Sequence, residues 1–264
     1  MKALALDTSV SCISVAAKND DKLACLVLDI GMRQSEKLLP AIDYVLEQAD
    51  LEVSDLDYTA LCEGPGSFTG LRLSFAALKA IELFGGKSEE KSLEQKQKSD
   101  GDMALKDLSA SSRVPIYGIN SLDFLAQPYM DFDGIVLPAI DAHKEKFYAK
   151  AFFDNKEIVP CDDWDLSILE QKIQEAAQGL ESQKDGAAKR ILLCGLETEA
   201  LFDACKERGL FKGRKILAPK SRAANMESLF VLAEEKIKNG LPPLADYDGP
   251  QYFRASEAEQ KAAN

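Results

Sequence analysis

The sequence is poor in the residues that build metal and nucleophile sites. Its 264 residues include one histidine, His143. A single imidazole excludes His-rich metal centres, and it leaves any Ser-His-Asp arrangement dependent on His143 alone. Cys12, Cys25, Cys62, Cys161, Cys194 and Cys205 never form a C-x-x-C pair, which removes the common zinc patterns. Cys12, Cys25, Cys62 and Cys194 sit in apolar runs and read as small hydrophobes, and all six are expected to be reduced thiols. No apolar run approaches the ~20 residues of a membrane span. The start, Met1-Lys2, leads at once into a strand-like run without a signal-peptide pattern, so the expected location is the cytoplasm, away from membranes. Basic side chains are also in deficit: 32 Lys and Arg against 44 Asp and Glu give a net charge of −12. An autonomous grip on a nucleic-acid backbone needs the opposite balance.

What is present alternates between strand and helix patterning. Lys2 to Leu6, Cys12 to Lys18 and Leu23 to Ile30 read as three strands, with Asn19-Asp20-Asp21 as a hairpin turn. Ser35 to Ala49 switches to helical spacing through Leu38, Leu39, Ile42, Val45 and Leu46. Tyr58 to Cys62 is a fourth strand, running into Gly64-Pro65-Gly66-Ser67-Phe68-Thr69-Gly70 and a second helix from about Leu71 to Phe84. Residues 87 to 113 are polar and low in complexity and read as a mobile insertion. A short strand at Pro115 to Gly118 and a helix from Ser121 to Met130 complete a first half, 1–133. The second half, 134–264, starts with paired strands at Gly134 to Ile140 and Phe147 to Phe153 and a third at Glu157 to Pro160. A helix through Leu166, Leu169 and Ile173 closed by Gly179, a strand at Ile191 to Cys194, a helix from Glu197 to Arg208 and a last helix from Ala223 to Lys238, capped by Ser221, follow. Three strands followed by alternating helices and strands describe either half, a weak internal duplication.

Three constellations could carry chemistry. Asp7-Thr8-Ser9 stands at the end of the first strand, where an open α/β sheet presents ligands; it reads equally as a polar turn. In the glycine loop, Gly64, Gly66 and Gly70 with Ser67 and Thr69 could cradle phosphate at a helix N-terminus, or could simply allow close packing. The loop lacks the Gly-Lys-Ser/Thr ending of a Walker A loop and the Gly spacing of a nucleophile elbow. His143 in Asp141-Ala142-His143-Lys144 reads as an exposed loop or strand-end residue. No catalytic residue and no metal ligand emerges from these patterns. The second helix is apolar nearly all round, with Arg72, Lys79 and Glu82 on a narrow polar stripe. Such a helix is buried on more than one side, either inside the monomer or against a partner.

Taken together, ALALDTSVSCISVAA, RQSEKLLPAIDYVL, ALCEGPGSFTGLRLSFAALKA, LPAIDAHKEKFYAKAF and GPQYFR resemble the TsaB family, also called YeaZ. The resemblance spans most of 1–84 and 115–153 plus 250–254. It departs at Gln34, where many members carry histidine, and at His143-Lys144-Glu145. It implies an α/β fold of two ribonuclease-H-like halves, of the actin/Hsp70/sugar-kinase (ASKHA) type. It also implies a non-catalytic scaffold or activator subunit of the machine that makes N6-threonylcarbamoyladenosine at position 37 of tRNA. In that family the partners are a TsaD-type transferase, bound directly, and a TsaE-type ATPase; tRNA is met only through the complex, and ATP and divalent metal belong to the partner subunits. The first two helices form the partner surface and can also support self-association. On this chain that points to Leu38, Ile42, Val45, Leu73, Phe75, Ala76 and Ala80. An ATP-dependent phosphotransferase of the same superfamily, working through Asp7 and the glycine loop, is the alternative. A protease is the weakest reading, given one histidine.

Overall fold

The computed structural model describes residues 1–85, 113–143, 145–178, 189–196, 198–221 and 224–253. The insertion read at 87–113 lies outside these residues except for Arg113, as do Lys144, Gly179, Glu197, Ala223 and Arg254.

Among the described residues ten strands form two five-stranded sheets. β1 (Lys2–Asp7), β2 (Cys12–Asn19), β3 (Lys22–Asp29), β4 (Tyr58–Gly64) and β5 (Ile116–Asn120) build the first, in the order β3-β2-β1-β4-β5. β6 (Ile135–Asp141), β7 (Lys146–Phe153), β8 (Lys156–Asp165), β9 (Arg190–Cys194) and β10 (Lys215–Leu217) build the second, in the order β10-β9-β6-β7-β8. Each sheet has its first strand at the centre. β1 pairs antiparallel with β2 and parallel with β4, and β6 pairs antiparallel with β7 and parallel with β9. The duplication that the sequence only hinted at is therefore complete in the backbone. The chain is an α/β protein of two sheets with the same strand order and pairing, as two related halves would give.

Period-two alternation divides the first sheet between two cores. Leu4, Leu6, Ile13 and Val15 point to one face, covered by α1 (Gln34–Gln48) and α2 (Phe68–Phe84). Ala3, Ala5, Cys12 and Ala16 point to the other. That second face is covered by α3 (Ser121–Ala126) and by α6 (Glu227–Lys238), through Leu122, Phe124, Met226, Leu229, Phe230 and Ala233. The last helix thus belongs, by packing, with the first sheet. Tyr58 Oη and Lys18 Nζ both donate to Glu234 Oε1, at 2.9 and 2.6 Å, and fasten it there. In the second half, α4 (Leu166–Gln178) and α5 (Thr198–Glu207) cover one face through Leu166, Leu169, Ile173, Leu201 and Cys205.

Most elements lie within a residue or two of their expected positions; four differ for identifiable reasons. α2 begins at Phe68, because Ser67 Oγ accepts from Gly70 N and caps it. α3 ends at Ala126, and a short 3-10 turn carrying Pro128 continues from Gln127 to Tyr129. β8 runs on to Asp165, pairing with β7 across a bulge. α6 starts at Glu227, where Asn225 Oδ1 accepts from Glu227 N, so Ser221 is not its cap.

All six cysteines are free thiols. Cys25, expected in the core, is exposed on β3, the edge strand of the first sheet, while Cys205 is buried. Burial pushes Cys194 up to about 12 and Cys205 up to about 11, which makes both poor nucleophiles. No helix among the described residues is long and apolar enough to cross a membrane.

Candidate functional site

The two constellations singled out as phosphate contacts meet in the structure, but they fill one another's space. β1 delivers Asp7, Thr8 and Ser9 to the loop between β4 and α2, and all three are at most 3 % exposed. Ser67 N donates to Ser9 O at 2.6 Å, and Thr8 Oγ1 donates to Gly70 O at 2.6 Å. Thr8 Oγ1 also bonds Ser74 Oγ. A Cβ on Gly66 would strike the Ser9 carbonyl oxygen, and one on Gly70 the Thr8 carbonyl oxygen. These glycines serve close packing, the second of the two roles open to them. The Ser67 and Gly70 amides, which a phosphate would use, already have acceptors. Ser67 and Thr69 are the exposed members of the set; Gly66 is half-buried and Gly64 and Gly70 are buried.

Asp7 lies at the centre of this packing. Its Oδ1 accepts from Ser9 N at 2.9 Å, and burial holds its carboxyl above the ordinary aspartate range despite bonds from Ser9 and Cys62 that pull the other way. Cys62 is in turn pushed well above a normal thiol by burial and by Asp7. Ser121 reaches Cys62 by a side-chain hydrogen bond, and the Ser14 hydroxyl is buried with no partner among the described residues. This is a closed polar core, without an opening to substrate at Asp7. His143 is far from buried, 86 % exposed by its side chain in the turn between β6 and β7.

The residues expected at a partner interface divide sharply. Leu38, Ile42 and Val45 on α1 and Phe75 on α2 are at most 6 % exposed and belong to the core under the two helices. They hold the helices to β1 and β2, and they are not surface in this structure. Leu73 is half-buried, while Ala76 and Ala80 are exposed. The outward side of α2 is formed by Thr69, Arg72, Ala76, Ala80 and Leu83. On α1 the large apolar side chains left exposed are Leu39 and Tyr44. Apolar spacing placed both helices correctly. It chose the inward stripe of α1 because, in an amphipathic helix, the strongest stripe is the one the monomer buries first.

A segment that spacing could not reveal borders this surface. Residues 241–253 cross the edge of the first sheet and run beside α2. Leu244 N donates to Ile116 O, Lys79 Nζ to Ala245 O and Arg113 Nη1 to Asp246 Oδ1. Gln251 bonds Glu63 twice, through its backbone N to Glu63 O at 2.7 Å and through Nε2 to Oε1 at 3.0 Å. Tyr252 stacks on Phe68, with centroids 4.7 Å apart, and accepts from Arg72 Nε. The one signal in the sequence was the GPQYFR stretch, whose aromatic and glutamine are the contact residues. At the start of α1, Gln34 Nε2 donates to Val10 O and Ser11 O at 2.8 and 3.0 Å, tying that helix to the turn after β1.

Comparison with known proteins assigns this architecture. A curated protein of Bacillus subtilis (strain 168), named tRNA threonylcarbamoyladenosine biosynthesis protein TsaB, is 25 % identical over 99 % of this chain and 97 % of its own length. Its namesake in Escherichia coli (strain K12) is 23 % identical over 99 % and 98 %. Over its whole length the chain thus resembles the proteins named TsaB, the family also called YeaZ. The solved structure of YeaZ from Pseudomonas aeruginosa has the same fold, with a TM-score of 0.63 at 20 % identity, covering 95 % of this chain and 99 % of that one. A family model described as TsaD, tRNA N6-adenosine threonylcarbamoyltransferase, matches residues 31–86. That stretch holds α1, β4, the glycine loop and α2, the elements that carry the exposed face.

Proposed function

We propose that this chain is a non-catalytic scaffold and activator subunit that pairs with a TsaD-type transferase in making N6-threonylcarbamoyladenosine at position 37 of tRNA. The whole-length resemblance supports the pathway. The observation that carries the role is the outward side of α2, where Ala76, Ala80 and Leu83 are exposed on a helix already packed on its own sheet. Small residues on an exposed helix let a second helix approach closely, and burying them contributes roughly 25 cal/mol per Å² of apolar surface. In this reading a TsaE-type ATPase joins the complex, tRNA is engaged through the other subunits, and ATP and divalent metal act there. The work takes place in the cytoplasm without membrane attachment. The net charge of −12 agrees with leaving the tRNA backbone to a partner. The phosphotransferase alternative finds less support, because Asp7 is enclosed and the Ser67 and Gly70 amides are occupied.

The test is reconstitution. A TsaC-type enzyme, which makes threonylcarbamoyl-AMP, is combined with TsaD- and TsaE-type proteins, an unmodified tRNA reading ANN codons, threonine, bicarbonate and ATP, with and without this chain. Modified nucleoside is measured by chromatography of digested tRNA. Product that depends on the chain is expected; equal product without it refutes the proposal.

A further inference from the structure

The outward side of α2 carries one charge, and the fold holds that charge still. Thr69, Arg72, Ala76, Ala80 and Leu83 are its exposed residues, and only Arg72 is ionised. The guanidinium carbon lies 3.8 Å from the Phe68 ring centroid and 5.8 Å from that of Tyr252. Arg72 Nε donates to Tyr252 Oη at 2.9 Å, and Tyr252 is itself stacked on Phe68. Among the described residues no carboxylate pairs with Arg72, and its one hydrogen bond to a described residue is made by Nε. Lys79, the other cation of α2, differs: it is spent on Glu82 at 3.0 Å and on Ala245 O.

An exposed arginine ordinarily loses side-chain freedom when it forms a salt bridge, and so contributes little. Here that ordering is already accomplished by Phe68 and Tyr252, and a planar fork is offered beside an apolar stripe. Arginine flanked by aromatics and small apolar residues is the composition of an interface hot spot. The neighbouring helix has the opposite sign: Glu36, Asp43 and Glu47 are exposed on α1 against Lys37. The TsaD match over 31–86 spans both helices, so a TsaD-type chain carries a counterpart of the same pair. An interface between two related surfaces about a pseudo-two-fold axis sets equivalent patches against each other, so Arg72 would meet the partner's counterpart of this helix pair.

We infer that Arg72, clamped by Phe68 and Tyr252, is the charged anchor of this face and takes a carboxylate on the first helix of the TsaD-type partner. The inference rests on the docking role proposed above, and it assigns the C-terminal segment 241–253 a part in recognition: Tyr252 is a positioning residue for Arg72.

The experiment measures affinity of the full chain for a purified TsaD-type partner by calorimetry at several salt concentrations. Arg72→Glu should weaken binding at least about tenfold. Arg72→Gln should weaken it and flatten its salt dependence, whereas Arg72→Lys should restore the salt dependence but only part of the affinity. Tyr252→Phe keeps the ring and loses the hydroxyl, and should cost about two- to fivefold. Unchanged urea midpoints are expected for all four, since Arg72 is exposed. Ala76→Glu serves as the reference for the surface. If Ala76→Glu abolishes binding while the Arg72 variants match wild type, the anchor is overturned and the docking surface stands. If neither matters, the docking role falls with it. Loss of self-association alone, or of tRNA capture by the assembled complex alone, would assign Arg72 to a different occupant and overturn the inference.

Discussion

The hydroxyl of Thr8 donates to the carbonyl oxygen of Gly70 across 2.6 Å, joining the end of β1 to the first turn of α2. Nothing larger than glycine fits on the other side of this bond, because a Cβ on Gly70 would collide with the Thr8 carbonyl oxygen. Gly70→Ala should therefore lower stability by about 1–3 kcal/mol through overpacking. Gly249, which has open space around it, should accept alanine within about 0.5 kcal/mol. Urea denaturation of the two variants checks the contrast. Equal midpoints would mean that the loop can shift away from β1.

Core and surface positions on the paired helices should separate cleanly. Leu38 is 1 % exposed, so Leu38→Ala should destabilise the monomer by about 2–5 kcal/mol. Ala76 and Ala80 face outward; Ala76→Glu or Ala80→Glu should leave the midpoint within about 0.5 kcal/mol while abolishing pairing. Light scattering and urea melts on the same samples give both readouts. A destabilised Ala76→Glu monomer would mean that this side is already packed.

Asp7 should leave a mark on the pH dependence of stability. Its folded pKa is raised, chiefly by burial, so the folded chain holds that proton more tightly than the unfolded chain does. Stability from this group is then full at pH values below the unfolded aspartate pKa of about 3.9 and is lost as pH rises through the folded value. Glu63, also raised by burial, acts in the same direction. Asp7→Asn keeps an oxygen for Ser9 N and removes the titration. The variant's midpoint should decline less than wild type between pH 4 and the raised pKa. Parallel curves for the two proteins in thermal melts would show that Asp7 titrates normally.

Phe230 gives the complementary test of how the halves are closed. It lies on α6 but is 1 % exposed against residues of the first sheet. Phe230→Ala should cost about 3–5 kcal/mol. Hydrogen exchange should show lost protection in β1 and β4 as well as in α6. Loss confined to α6 would show that the helix is an independent appendage.

The first half was legible almost element by element, and the reason is local. Leu4, Leu6, Ile13 and Val15 alternate, Leu38 to Leu46 repeat at helical spacing, and glycines mark the loop between β4 and α2. The second half followed the same logic except at β10, whose three residues, Lys215–Leu217, are too few to show a period. What was hidden is what depends on distant pairing. Periodicity reports that a helix has an inward stripe but not which surface receives it, so α6 could not be placed on the first sheet. The same limit explains the residues expected at an interface: Leu38 and Ala76 differ in exposure because of the sheet beneath them, and neither side chain announces it. Gln251 and Tyr252 gained meaning only once the chain had returned to Glu63 and Arg72, 188 and 180 residues earlier.

The return of α6 to the first sheet also bears on how the protein is made. A ribosome delivers β1 to β5 early, yet one face of that sheet, with Ala3, Ala5 and Ala60, stays without part of its cover until Glu227–Lys238 has emerged. Synthesis proceeds at about 5–20 residues per second, so the wait lasts several seconds or more. During that interval part of an apolar sheet face stays uncovered, so the first half completes its core only when the last helix has been made.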